Sequence, residues 1–281
     1  MPDQTAPAGT ATDRARPASP PGAGHDLVFT PMLTPARLVR RYKRFLADVV
    51  LPDGTETTVH VANPGSMLGL ADAAARIWLQ RSADPKRKLP LSWVLVEAAG
   101  GALVVVDTGR ANGLVAEAIA AGRVPALAPA GVALRREVRY GTGSRVDIVL
   151  DPAAAPTDTD AGMYRPQPVY VEVKSVTLSR QPGLGAFPDA RTQRGARHLA
   201  ELAALATAGT ARAVLVYAVM RGDVERVDVA ADIDPAYAAA LAAARAAGVE
   251  VMALGFTADA AGIRLTGPLP VAGQGTSAAI G

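Results

Sequence analysis

The chain has 281 residues, 49% of them hydrophobic and 20% charged, with a net charge of +3. That composition excludes a disordered or fibrous protein and supplies enough apolar material for two domains, or for one domain with a sizeable annex. The absence of Cys excludes disulfides, thiolate zinc sites and cysteine nucleophiles, and fits a reducing, cytoplasmic setting.

No charge-free apolar run reaches about 18 residues, and the N-terminal stretch lacks a signal-peptide pattern, so neither membrane spanning nor export is expected. Residues 1–26 are Pro, Ala, Gly, Thr and Asp without periodicity, and are expected to form a disordered tail.

A first domain is expected over residues 27–108. Strands are predicted at 38–50, 57–62, 76–80, 93–97 and 102–106, with turns at Pro52-Asp53-Gly54 and Asn63-Pro64-Gly65. Short strands at this density imply a small β-barrel, the oligonucleotide-binding (OB) type being one option. Basic residues gather at Arg37, Arg40, Arg41, Lys43 and Arg44 and again at Arg81, Lys86, Arg87 and Lys88. Each run reads either as a solvated face or as a polyanion contact. Tyr42, Phe45 and Trp93 are base-stacking or core residues.

The second domain is expected over 109–271, with a frayed end at 272–281. A helix is predicted at 111–120, then a Pro-containing connector at 123–130 and strands at 134–140, 145–150 and 169–178, the last two separated by a long Pro/Asp/Ala loop. A helix over 188–208 carries an apolar stripe of Leu199, Leu202, Ala203, Leu205 and Ala206, and a buried strand follows at 213–219. Asp234 caps the next helix, Pro235 opens it and Gly248 closes it, ahead of a strand at 249–254. Strand, crossover helix and strand imply parallel neighbours and an α/β domain.

Chemistry concentrates on two of these strands. In Val169 to Lys174 the valines alternate with Tyr170, Glu172 and Lys174, which puts the last two on one face about 6–7 Å apart. Asp147 stands among Val146, Ile148 and Val149, a costly place for a carboxylate unless a cation or partner compensates it. If the two strands are antiparallel neighbours, Asp147 and Glu172 converge on one hard divalent ion, Mg²⁺ or Mn²⁺. Such an ion supplies the Lewis acidity that phosphodiester hydrolysis requires. Lys174 would then orient the attacking water. Only four of the 29 basic residues are Lys, and a compact ammonium suits that role better than guanidinium. Against this, E-x-K by itself is usually a solvated ion pair.

Arg191, Arg194, Arg197 and His198 recur at spacings of three or four on one side of the helix that follows, a basic face suited to a phosphate backbone. Glu137 is a further carboxylate beside the site, or a partner of Arg135 or Arg139. His25 and His60 have no second His at ligand spacing and are read as structural.

Several blocks together resemble the sugar fermentation stimulation protein A family. They are Arg41 to Val49, Ala62-Asn63-Pro64-Gly65-Ser66-Met67, Lys86 to Pro90, Ser144-Arg145-Val146-Asp147, Val171 to Leu178, Phe187 to Ala190 and Arg194 to Leu202. The resemblance implies an N-terminal OB-fold domain followed by a restriction-endonuclease-like, PD-(D/E)XK α/β domain, in which Asp147, Glu172 and Lys174 match the nuclease triad. It also implies DNA binding, in some members with regulation of sugar, particularly maltose, metabolism. Asn63, Gly65 and Met67 match the family motif, although Asn-Pro-Gly is also an ordinary turn. Gly113 stands where the family pattern has Arg, and the loop between Asp147 and Glu172 is longer and more acidic than the pattern.

Two functions therefore stand: a divalent-metal-dependent nuclease acting on DNA or RNA, and a sequence-tolerant, non-catalytic DNA-binding regulator.

Overall fold

The computed structural model describes residues 24–128, 132–140, 144–152 and 167–273. The expected tail up to residue 23, most of the long loop and the final residues from 274 lie outside the described residues. Among the described residues no helix is long and apolar enough to cross a membrane.

After a two-residue strand, β1 (Leu27–Val28), five strands build the N-terminal barrel: β2 (Thr34–Tyr42), β3 (Leu46–Val50), β4 (Glu56–Val61), β5 (Arg76–Arg81) and β6 (Leu91–Glu97). They pair in the order β4-β3-β2-β5-β6, and β6 closes on β4 through His60↔Ser92 and Val61↔Trp93. Closure leaves β4 without a free edge. Alternate residues, among them Leu38, Val49, Val59, Ile77, Leu79 and Trp93, fill the interior with Met67. Trp93 is thus core and not a stacking platform. A short strand, β7 (Leu103–Val105), extends the sheet from β6.

The single strand predicted over 38–50 is in fact a hairpin. Lys43 and Arg44 adopt φ of 46° and 64°, a region that disfavours side chains with a Cβ. No Gly or Asn signals this turn. It is held by Arg41 Nη2, which donates to Arg44 O (2.8 Å), and by Phe45 N, which donates to Lys43 O (2.7 Å).

The second domain begins with α1 (Arg110–Ala120), then β8 (Ala133–Tyr140), β9 (Ser144–Asp151) and β10 (Val169–Val176). The strand predicted to run to residue 178 stops at Val176, and β11 (Leu178–Gln181) turns away with β12 (Gly183–Phe187) into a small sheet. Next come α2 (Gln193–Ala208), β13 (Arg212–Val219), β14 (Val224–Val229), α3 (Pro235–Ala246), β15 (Glu250–Ala258) and β16 (Gly262–Leu269). The main sheet runs β1-β16-β15-β13-β10-β9-β8, while β14 joins β12. The pair β13–β15 is parallel, as the crossover helix requires, and β9–β10 is antiparallel, which meets the condition on which Asp147 and Glu172 converge. Leu27 and Val28, expected within the barrel domain, instead pair with Ile263 and Gly262 of this sheet.

Alternation along β13 sorts the two faces. Val214, Val216 and Ala218 pack with α1, and Leu215, Tyr217 and Val219 with α2 and α3. On β10, Val171 and Val173 join the α1 side, which turns Glu172 and Lys174 toward α2.

Helix α2 starts five residues later than the predicted Pro188. Thr192 caps it by accepting from Gly195 N (3.0 Å), and Thr192 N itself donates to Asp234 Oδ2 (2.7 Å). Asp234 Oδ1 accepts from Tyr237 N (3.0 Å), so one carboxylate anchors the starts of both helices.

Candidate functional site

The β9–β10 ladder ends at Val171↔Ile148. Beyond it the Asp147 side chain replaces the strand partner: Oδ2 accepts from Val173 N (2.7 Å) and Oδ1 from Asn112 Nδ2 of α1 (2.6 Å). Glu172, 2% exposed, accepts at Oε1 from Lys174 Nζ (2.6 Å) and from His198 Nδ1 of α2. Arg194 Nε donates to His198 Nε2 (3.3 Å), which assigns the ring proton to Nδ1. Glu172 Oε2 is buried without a hydrogen-bond partner.

The two carboxylates are tuned apart. Burial, reinforced by the charge of Glu172, pushes Asp147 up to about 6. Burial also works against Glu172, yet the His198 hydrogen bond and the Lys174 ammonium together hold it below the usual range. At neutral pH the site therefore holds two neighbouring negative charges and one ammonium.

These groups line a cleft of about 600 Å³ whose opposite wall comes from the barrel, through Arg44, Asn63, Pro64, Gly65 and Thr108. The barrel loop is fixed from both sides. Asn63 Nδ2 donates to Val106 O (3.0 Å) and its Oδ1 accepts from Gly65 N (2.8 Å). Arg41 donates to the carbonyls of Asn63 (2.8 Å), Gly65 (2.9 Å) and Ser66 (3.0 Å). Across the cleft, Ser66 Oγ donates to Asp189 O (2.6 Å) and Met67 N to Asp189 Oδ2 (3.1 Å).

Gly65 leaves no room for a Cβ against the Asp189 carboxylate. Gly65→Ala is expected to cost about 1–3 kcal/mol of stability. In thermal melts Asp189→Ala should recover part of that loss, and strictly additive losses would show that the loop escapes the clash.

Residues 39–106 match the SfsA N-terminal OB domain, and residues 109–262 match the sugar fermentation stimulation protein RE domain. The chain belongs to the sugar fermentation stimulation protein (SfsA) family. An SfsA homolog of Azorhizobium caulinodans is 54% identical over 249 residues, covering 87% of this chain and 99% of the relative. One from Pseudomonas entomophila is 51% identical over 247 residues, covering 87% and 98%. The solved structure of Pyrococcus furiosus SfsA in complex with Ca²⁺ superimposes with a TM-score of 0.76 at 25% identity, over 89% of this chain and 99% of that one. The fold is accordingly mixed α/β, an OB barrel followed by a restriction-endonuclease-like domain.

Within this SfsA fold, the triad Asp147, Glu172 and Lys174 meets on adjoining strands, and Arg44, Arg191 and Arg194 line the same cleft. Other assignments change. Arg41, read as a phosphate contact, is engaged with four backbone carbonyls and organises the loop. Asn63 and Met67 are buried and structural, Met67 in the barrel core. His198 leaves the basic helix face: at 3% exposure it turns inward to Glu172.

Lys43 is exposed on the hairpin turn. Lys86, Arg87 and Lys88 are exposed on the loop between β5 and β6 and do not line the cleft, Arg87 Nη2 donating to His60 Nδ1 (3.2 Å). Glu137 is exposed and among the described residues forms no ion pair with Arg135, which binds Asp151 (2.6 Å), or with Arg139; its charge contributes to the raised pKa of Asp147.

Asn112 is the site residue whose contact the sequence left unassigned. Beside it, the Arg136 guanidinium lies 3.9 Å from where a Cβ of Gly113 would be, so a basic group faces that position from β8.

Proposed function

We propose that the protein hydrolyses phosphodiester bonds of DNA with Mg²⁺ or Mn²⁺ held by Asp147 and Glu172. The observation that carries this reading is the convergence of two carboxylates and one ammonium at a cleft, with Glu172 Oε2 buried and unpartnered. A lone buried carboxylate oxygen beside a second, crowded carboxylate is a donor set for a hard cation. The complex of Pyrococcus furiosus SfsA with Ca²⁺ supports a divalent-cation site in this fold. When bound, the cation supplies Lewis acidity and neutralises developing charge on the phosphate.

The chain's own residues do the remainder. Lys174 places an ammonium against Glu172 Oε1, where it orients a water for in-line attack. His198 and Arg194 fix the orientation of Glu172, and Asn112 that of Asp147. Arg44 and Arg191, on opposite walls, attract the sugar-phosphate chain. Phosphate contacts of this kind carry no sequence information, so sequence specificity is weak and RNA is the alternative substrate.

One observation favours the non-catalytic reading: both Asp147 oxygens and Glu172 Oε1 already have internal donors, as in a purely structural network. A cleavage assay separates the two. Wild type should cut DNA, or RNA, with Mg²⁺ or Mn²⁺ and not with chelator, and Glu172→Ala should bind without cutting. If wild type cuts neither polymer in either metal while still binding, the site is a scaffold in a DNA-binding regulator.

A further inference from the structure

Behind His198 lies a second pocket of about 420 Å³, lined by Glu137, Ser144, Arg145, Arg194, Arg197 and His198. Arg194 and His198 face both this pocket and the cleft, so the two cavities are neighbours across these side chains.

Three features of this pocket are unfavourable for the protein alone. Arg145 stands directly opposite Arg139 in the β8–β9 ladder, and like charges so placed repel. Arg194 and Arg197 sit in the first two turns of α2, the positive end of the helix, with no acidic residue in the first turn. Among the described residues no ion pair joins Arg145, Arg194 or Arg197 to a carboxylate, although Glu137 is on the same wall and Arg135 of the same hairpin is held by Asp151 at 2.6 and 2.8 Å. A single anion relieves all three.

We propose that this pocket binds a phosphate group of the nucleic-acid strand, next to the phosphate at Asp147, Glu172 and Lys174. The group is either a terminal phosphate at a strand end or the neighbouring internal phosphodiester. Guanidinium forks match phosphate oxygens bidentately, and the buried Ser144 hydroxyl adds a neutral donor. The pocket then sets where along the strand the cleft acts. The inference rests on the proposal that the strand lies in the cleft.

The test is fluorescence anisotropy in chelator, where nothing is cut. The strands carry a 5′-phosphate, a 3′-phosphate or no terminal phosphate, alongside a circular single strand. The double variant Arg145→Ala/Arg197→Ala should bind about tenfold more weakly than wild type. Arg135→Ala, whose guanidinium is already paired, should not change affinity, and unchanged melting temperatures would exclude misfolding of these exposed substitutions. A loss confined to one phosphorylated end identifies a terminal phosphate, and an equal loss on every strand, the circle included, identifies an internal phosphodiester. Equal affinity of double variant and wild type on every strand overturns the pocket and leaves the cleavage reading intact. A wild type that binds none of the strands overturns the nucleic-acid reading itself.

Discussion

Lys174→Gln should fold, bind DNA with nearly wild-type affinity and cut it about 10²–10⁴-fold more slowly. The reason lies in the placement of the ammonium. Lys174 Nζ is 2.6 Å from Glu172 Oε1 and the side chain is 15% exposed, so the charge acts in a partly desolvated site where it is screened less than on the surface. Glutamine keeps a donor and loses the charge. Lys174→Arg should not rescue the rate, because a longer, planar fork carries its charge past the point where the compact ammonium sits. Single-turnover cleavage at saturating protein separates this effect from binding. A variant that cuts within a few-fold of wild type would remove Lys174 from the reaction.

How much of this site was legible follows from what each residue's signal depends on. Asp147, Glu172 and Lys174 were readable because a strand has period two, and a charged residue on an otherwise apolar strand shows in the sequence itself. The parallel β13–β15 pairing followed from the crossover helix, whereas the antiparallel β9–β10 pairing entered the sequence reading only as a condition, because a long loop fixes no strand direction.

His198 was misplaced. Spacing of three and four groups it with Arg191, Arg194 and Arg197, but His198 also stands beside Leu199 and four residues before Leu202, and that stripe is the face that α2 buries. Arg41 was misread because charge is visible in a sequence, whereas the four carbonyls that engage it are brought together only by the β2–β3 turn and the pairing of β3 with β4. The hairpin at Lys43 and Arg44 escaped because its left-handed residues carry no turn signature. β12 was missed because it is Gly-rich and β14 because its buried residues, Val224 and Val227, are three apart and do not alternate; the small sheet exists only through the pairing of β12 with β11 and with β14.

Asp147→Asn should stop cleavage and, in the absence of metal, stabilise the fold at pH 8 by about 1–2 kcal/mol, or several degrees in Tm. The sign follows from linkage. Burial and the charge of Glu172 raise Asp147 to about 6 from an ordinary 3.8, so between those values the folded chain holds a proton that the unfolded chain releases. Stability therefore falls as pH rises through that window, and above about pH 6 the whole penalty is present. An amide carries no such charge. It accepts from Val173 N, and a flip of Asn112 lets the two amides pair.

The difference in Tm between wild type and Asp147→Asn should vanish near pH 4, which isolates Asp147 from the opposing contribution of Glu172. That contribution, from a pKa held low, is present at neutral pH and is lost as pH falls through the folded-state value. Mn²⁺ should raise the Tm of wild type by selective binding to the folded state and leave Asp147→Asn nearly unchanged. A variant less stable than wild type at pH 8 without metal would mean that the hydrogen bonds to the carboxylate outweigh its burial. Asp147 would then be a structural clasp between β9 and β10 and not a strained ligand awaiting a cation.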